Sequence, residues 1–162
     1  MDETGHTFRA RFGTTWARRE ISSIVALVAP LDGQARLYAR HFGGSIHGQQ
    51  VITALRYFRR QIDRPLIVVW DRLNAHRAKV VQAFVAAHPD DYRLEWLPPY
   101  APELNPEELC NGAVKRELLN ALPVSVAELH RQARRAFIRL GRRSTILRGF
   151  FAHAGLSVPR LQ

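Results

Sequence analysis

Between Leu97 and Leu118 the chain reads LPPYAPELNPEELCNGAVKREL, and this stretch constrains the fold more than any other. Pro98, Pro99, Pro102 and Pro106 fix φ and remove backbone N–H donors, which keeps the run out of both helix and sheet ladder. The rigid loop then delivers the chain to a helix start. Asn105 is a good N-cap, Pro106 suits the first helical position, and Glu108 falls at the third. From there Cys110, Val114, Leu118 and Ala121 make one apolar stripe, while Glu108, Gly112, Lys115 and Leu119 lie along a second. A carboxylate is thereby held at the mouth of a helix whose other face is anchored in a core.

On this stretch alone Glu108 has two readings. N-x-x-E is a capping-box pattern, in which the glutamate turns back to the N-cap amide and does no chemistry. The alternative is a carboxylate presented outward for binding or catalysis. Other carboxylates have to be found to decide between them.

With 162 residues, 46% of them apolar, the chain has room for one domain with a real core and hardly for two. We read residues 1–162 as a single domain. No apolar run approaches the roughly 18 residues of a membrane span, and no charged-then-apolar leader opens the chain. The cytoplasm is therefore the expected location. Cys110 is the one cysteine, which excludes an internal disulfide and a cysteine-rich zinc site. His6, His41, His47 and His76 show no zinc-ligand spacing either. The net charge of +10, from 24 basic against 14 acidic residues, points to a polyanionic partner, nucleic acid first among them. All the basic residues except Lys79 and Lys115 are arginines, a skew that codon bias explains as well as phosphate binding does.

The opening MDETGHTFRARFGTTWARRE reads as irregular or hairpin structure, with no strand before Asp2. Ile21–Pro30 is β-branched and apolar, a strand, and Asp32-Gly33 marks a turn. Ala35–Phe42 alternates as its antiparallel partner, with Leu37, Ala39 and His41 on one side and Tyr38, Arg40 and Phe42 on the other. A helix is predicted over 49–62 on Val51, Leu55, Phe58 and Ile62. Pro65 ends it, and Leu66–Trp70 (LIVVW) reads as a strand apolar on both faces, central and covered by helices on both sides. It runs straight into Asp71. A second helix carries Val81, Phe84, Val85 and His88 inward. Tyr92–Leu97 is the next strand, and the proline loop and its helix follow. Ser125-x-x-Glu128 is a second capping box. It opens a long helix on Val126, Leu129, Ala133, Phe137 and Leu140, accompanied by Arg131, Arg134, Arg135, Arg139, Arg142 and Arg143. A last helical segment carries Leu147, Phe150, Phe151 and Ala154. This order indicates an α/β sheet of mixed direction flanked by helices.

Ligands in open α/β sheets gather at the carboxyl ends of strands, where Asp71 stands. An aspartate there can equally cap the next helix. Between Asp71 and Glu108 there is room for one helix, one strand and the proline loop.

VVWDRLNAHRAKVV and LEWLPPYAPELNPEELCNGAVKREL together resemble the DDE transposases of the mariner-like bacterial insertion-sequence group. The opening DETGHTFRARFGTTWARR is similar to that group's first-aspartate segment. The resemblance implies a ribonuclease H-like fold whose three carboxylates map to Asp2, Asp71 and Glu108, serving as both catalytic and metal-binding residues. It implies two Mg²⁺ (or Mn²⁺) ions, cleavage and joining of double-stranded DNA at transposon ends and a target, and a homodimer or a partner transposase subunit. It places the protein in a bacterial cytoplasm, at the nucleoid when bound to DNA. The chemistry suits such a set, since two divalent ions about 3.5–4 Å apart clamp the attacking and leaving oxygens of a phosphodiester. Mg²⁺ favours carboxylate oxygens and keeps several waters, so three acidic side chains suffice. His76, five residues after Asp71, and Lys115 and Arg116, two turns beyond Glu108, are candidate DNA contacts.

The sequence departs from the group's pattern at three places. Asn111 stands where many relatives carry tryptophan, and Glu107 where an apolar residue is common. Asp2 directly follows Met1, so the strand expected to carry the first aspartate reads as truncated, and the expectation is a chain without an N-terminal helix-turn-helix domain. Two other readings accompany the transposase one: an inactive remnant or regulatory fragment that binds DNA, and a different two-metal nuclease on the same fold.

Overall fold

The computed structural model describes residues 2–6, 21–29, 34–99, 101–121 and 124–156. The Thr14–Arg18 segment and the Asp32-Gly33 turn lie outside the described residues. Alternation builds the first sheet. Strands β1 (Asp2–His6), β2 (Ile21–Val28) and β3 (Arg36–Gly43) pair antiparallel in that order. Asp2 lies opposite Val25, and Val25 lies opposite Ala39. Successive residues of β2 point to opposite faces, so Ile24 and Ala26 enter one core while Val25 enters another. β3 divides as its pattern predicts: Leu37 and Ala39 join the Val25 side, Tyr38 and Phe42 the Ile24 side.

The expectation that Asp2 stands without a strand is corrected here. Asp2 opens β1, and the register with β2 holds all of that strand.

On the Ile24 side lies helix α1 (Gly48–Ile62), with Val51, Leu55 and Phe58 wholly buried. Arg59 at its last turn donates through Nε to Asp91 Oδ1 at 2.7 Å, which ties the helix to the turn that leads into the strand at Tyr92. The second sheet, β4 (Leu66–Trp70) beside β5 (Tyr92–Trp96), is parallel. Helix α2 (Lys79–Ala86) makes the crossover and buries Val81 and Val85. It ends two residues before His88, which is exposed in the following turn with Nδ1 2.7 Å from the Phe84 carbonyl oxygen, rather than on the inner stripe.

β4 departs from the sequence reading. Val68 and Trp70 are buried against α1 and α2, but Ile67 is 69% and Val69 46% exposed. The strand is covered on one face only. The helices that could have covered the other face pack on the first sheet instead. These are α3 (Pro106–Ala121), α4 (Val126–Gly141) and α5 (Ser144–His153), which gather Cys110, Val114, Leu118, Ala133, Phe137 and Leu147 against Val25 and Ala35. Ser125 caps α4 as predicted, its Oγ accepting from the Glu128 amide at 3.1 Å. Among the described residues no helix is long and apolar enough to cross a membrane.

Candidate functional site: carboxylates at a strand end and a helix start

Because β4 and β5 are parallel, with Trp70 opposite Trp96, both strands end at one edge of their sheet. The Leu97 amide continues the ladder by donating to the Trp70 carbonyl at 2.9 Å. Asp71 and the first residue of the proline loop therefore leave the sheet side by side. The chain then turns sharply after Asp71. Leu73 N–H donates to Asp71 Oδ1 at 3.0 Å, and the amides of His76 and Arg77 donate to the Leu73 carbonyl at 3.0 and 3.1 Å.

That turn brings His76 back beneath the aspartate. His76 Nδ1 lies 2.8 Å from Asp71 Oδ1, and the ring stacks on Trp70 with centroids 4.6 Å apart and planes 7° from parallel. The histidine is 0% exposed. The spacing from Asp71 made it a candidate DNA contact; the ring is instead buried, and its polar neighbour is the carboxylate itself. Trp70, the buried platform, was not singled out from sequence. An aromatic residue just before an Asp-x-x-x-x-His spacing was the available signal.

From Leu97 the loop passes through a short 3₁₀ turn (Pro102–Leu104) into α3. Asn105 Oδ1 accepts from the Glu107 amide at 3.2 Å, and the Asn105 carbonyl accepts from the Glu108 amide at 3.1 Å. The cap is thus made by Asn105. Glu108 is exposed, and among the described residues its carboxylate has no hydrogen-bond partner, so the capping-box reading fails. Both glutamates lie in the first turn of α3, where the helix dipole favours negative charge.

Glu107 and Asn111 face the other way, 1% and 0% exposed. The two positions are one turn apart on the buried side of the helix. Both amide atoms of Asn111 lack a hydrogen-bond partner among the described residues. Burial, and after it the nearby Glu107 charge, pushes the Cys110 thiol far up from its ordinary value, which keeps it protonated.

α3 packs on β1 and β2 as well as on α4 and α5, so the helix that presents Glu108 rests on the strand that carries Asp2. The Asp2 side chain is not among those described. Among the described residues no three His, Cys, Asp or Glu side chains form a metal-holding group. Asp71 and Glu108 offer oxygen donors only, a set that fits a hard cation such as Mg²⁺. Lys115 and Arg116 are exposed on α3, Arg131, Arg134 and Arg135 are exposed on α4, and Arg142 is exposed at its C-cap. Arg139 is paired with Glu117.

Known proteins add to this geometry. The sequence profile of the family described as DDE superfamily endonuclease matches residues 6–130. No curated protein matches the chain by sequence. A chain of the simian T-cell lymphotropic virus intasome superposes with a TM-score of 0.60 at 17% identity, over 82% of this chain and 45% of that one. The HTLV-2 integrase catalytic core domain, solved in complex with magnesium, gives 0.53 at 15% identity, over 84% and 78%. The Mos1 transposase paired-end complex gives 0.45 at 16% identity, over 98% and 55%. The first two likenesses show a shared fold, ribonuclease H-like and mixed α/β. The chain spans less than half the length of the intasome chain.

Proposed function

The chain belongs to the DDE superfamily endonucleases, and on that premise we propose that it is a transposase catalytic domain acting on double-stranded DNA. The observation that carries this reading is the division of labour at the start of α3. Asn105 satisfies the helix, so Glu108 is turned outward on a rigid base.

Asp2, Asp71 and Glu108 would hold divalent cations, two Mg²⁺ or Mn²⁺ ions. Bound there, such ions activate the attacking oxygen and stabilise the leaving one. The protein supplies position and charge. Asp71 is oriented by the Leu73 amide and by His76, and Glu108 by the capped helix. Lys115, Arg116 and the arginines of α4 attract and hold phosphates. No enzyme nucleophile is required. In the first step water attacks a phosphorus and the DNA 3′-oxygen leaves as a 3′-hydroxyl. In the second, that hydroxyl attacks a target phosphorus and the target strand's own 3′-oxygen leaves, so one phosphodiester replaces another. A second copy or a partner subunit is expected to complete the assembly on two DNA ends, and the expected setting is the bacterial cytoplasm, at the nucleoid when bound to DNA.

A second reading, a DNA-binding remnant without activity, is favoured by one observation: Glu107 and Asn111 are buried polar residues under the helix that presents Glu108. Plasmid nicking separates the two. In Mg²⁺ or Mn²⁺ the chain is expected to nick supercoiled DNA. Asp2→Asn, Asp71→Asn and Glu108→Gln should each lower the rate about a hundredfold or more, while Glu103→Gln, exposed in the 3₁₀ turn, should not. No nicking under any metal condition, with DNA binding intact, would establish the remnant.

A further inference from the structure

We propose that His76 is a positioning residue that fixes the rotation of the Asp71 carboxylate for metal binding; this rests on the reading of Asp71 as a metal ligand. Three contacts hold the imidazole. Its face lies on Trp70, itself wholly buried at the end of β4, at 4.6 Å and 7°. Its backbone amide is tied to the Leu73 carbonyl at 3.0 Å. Its Nδ1 lies 2.8 Å from Asp71 Oδ1.

The other ring nitrogen decides the proton's place. Nε2 is buried with no hydrogen-bond partner among the described residues. A proton there would be a buried donor without an acceptor, which is costly, whereas a proton on Nδ1 has the carboxylate oxygen in line. A proton on Nδ1 is thus the arrangement the contacts favour, and through it the ring donates to Asp71.

Asp71 Oδ1 then accepts two hydrogen bonds, from the Leu73 amide and from His76, which close the segment from Asp71 to His76 on itself. The carboxylate cannot rotate about its last bond without breaking both. An aspartate at a strand end otherwise keeps that rotation, and a metal site tolerates errors of only about 0.5 Å in its ligands. Partners that orient a metal ligand in this way typically change metal affinity by about 10–100-fold when removed.

The test is Mn²⁺ affinity of the purified chain, read by the electron paramagnetic resonance of free Mn²⁺, with urea unfolding as the control for folding. His76→Phe keeps a flat ring on Trp70 and deletes the donor; it is expected to weaken Mn²⁺ binding about 10–100-fold. His76→Asn and His76→Leu form a second pair with the same branching and number of heavy atoms. Asn, whose amide nitrogen reaches the Nδ1 position, should bind Mn²⁺ more tightly than Leu, and this pair makes the comparison even where Phe does not fold. Wild-type affinity in folded His76→Phe, or equal affinity in Asn and Leu, with Asp71→Asn impaired, overturns the role of His76 alone. Unchanged binding in Asp71→Asn overturns the metal reading and this proposal with it.

Discussion

Asn105 Oδ1 accepts a hydrogen bond from the backbone amide of Glu107 at 3.2 Å, and that contact releases the next residue, Glu108, from any structural duty at the helix start. Asn105→Ala is expected to destabilise the chain by about 1 kcal/mol, read as a lower urea midpoint at unchanged slope. Asn105→Asp, which keeps the acceptor, should restore it. Metal-dependent nicking should fall with Asn105→Ala by more than the loss of folded chain accounts for, because Glu108 then rests on a frayed turn.

Asn111 is buried with both amide atoms lacking a partner among the described residues. A buried polar group left without a hydrogen bond costs about 1–3 kcal/mol. Asn111→Leu, apolar and of the same branched shape but larger, should therefore stabilise the chain by up to that amount, less the cost of fitting its methyl groups. Equilibrium urea unfolding checks this; a destabilised Asn111→Leu would mean that the amide is satisfied in solution.

These two residues show what the sequence disclosed and what it did not. The proline run, the Asn-Pro start and the apolar spacing after it are local signals, and they placed α3 and its outward glutamate correctly. The alternation of β3 likewise assigned its two faces. β4 was misjudged because LIVVW is apolar whether or not a helix arrives to cover it. Where α3, α4 and α5 pack is decided by long-range competition that a strand's own residues do not encode. His76 was legible as a spacing from Asp71, but its burial depends on a turn closed by Leu73 and on the face of Trp70. The strand at Asp2 was missed because its partner, β2, begins only at Ile21.

DNA binding should be strongly salt-dependent and indifferent to sequence. With a net charge of +10, each phosphate neutralised contributes about −0.9 to the slope of log affinity against log salt. Arg131 and Arg135 of α4 and Arg142 at its C-cap recur at helical spacing, all exposed. Replacing the three with Gln should make the slope shallower by about 2–3 and leave the urea midpoint nearly unchanged. Titration of a fluorescent duplex between low and physiological salt measures it, and an unaltered slope would remove α4 from the DNA surface.

In the proposed function, the strand end at Asp71 and the helix start at Glu108 serve one metal site. Anomalous diffraction from crystals of the chain soaked in Mn²⁺ tests it directly. The expected map holds a manganese peak about 2 Å from carboxylate oxygens of both Asp71 and Glu108, with Asp2 completing the set. Manganese bound elsewhere, or the two carboxylates on opposite faces of the sheet with no ion between them, would contradict the account.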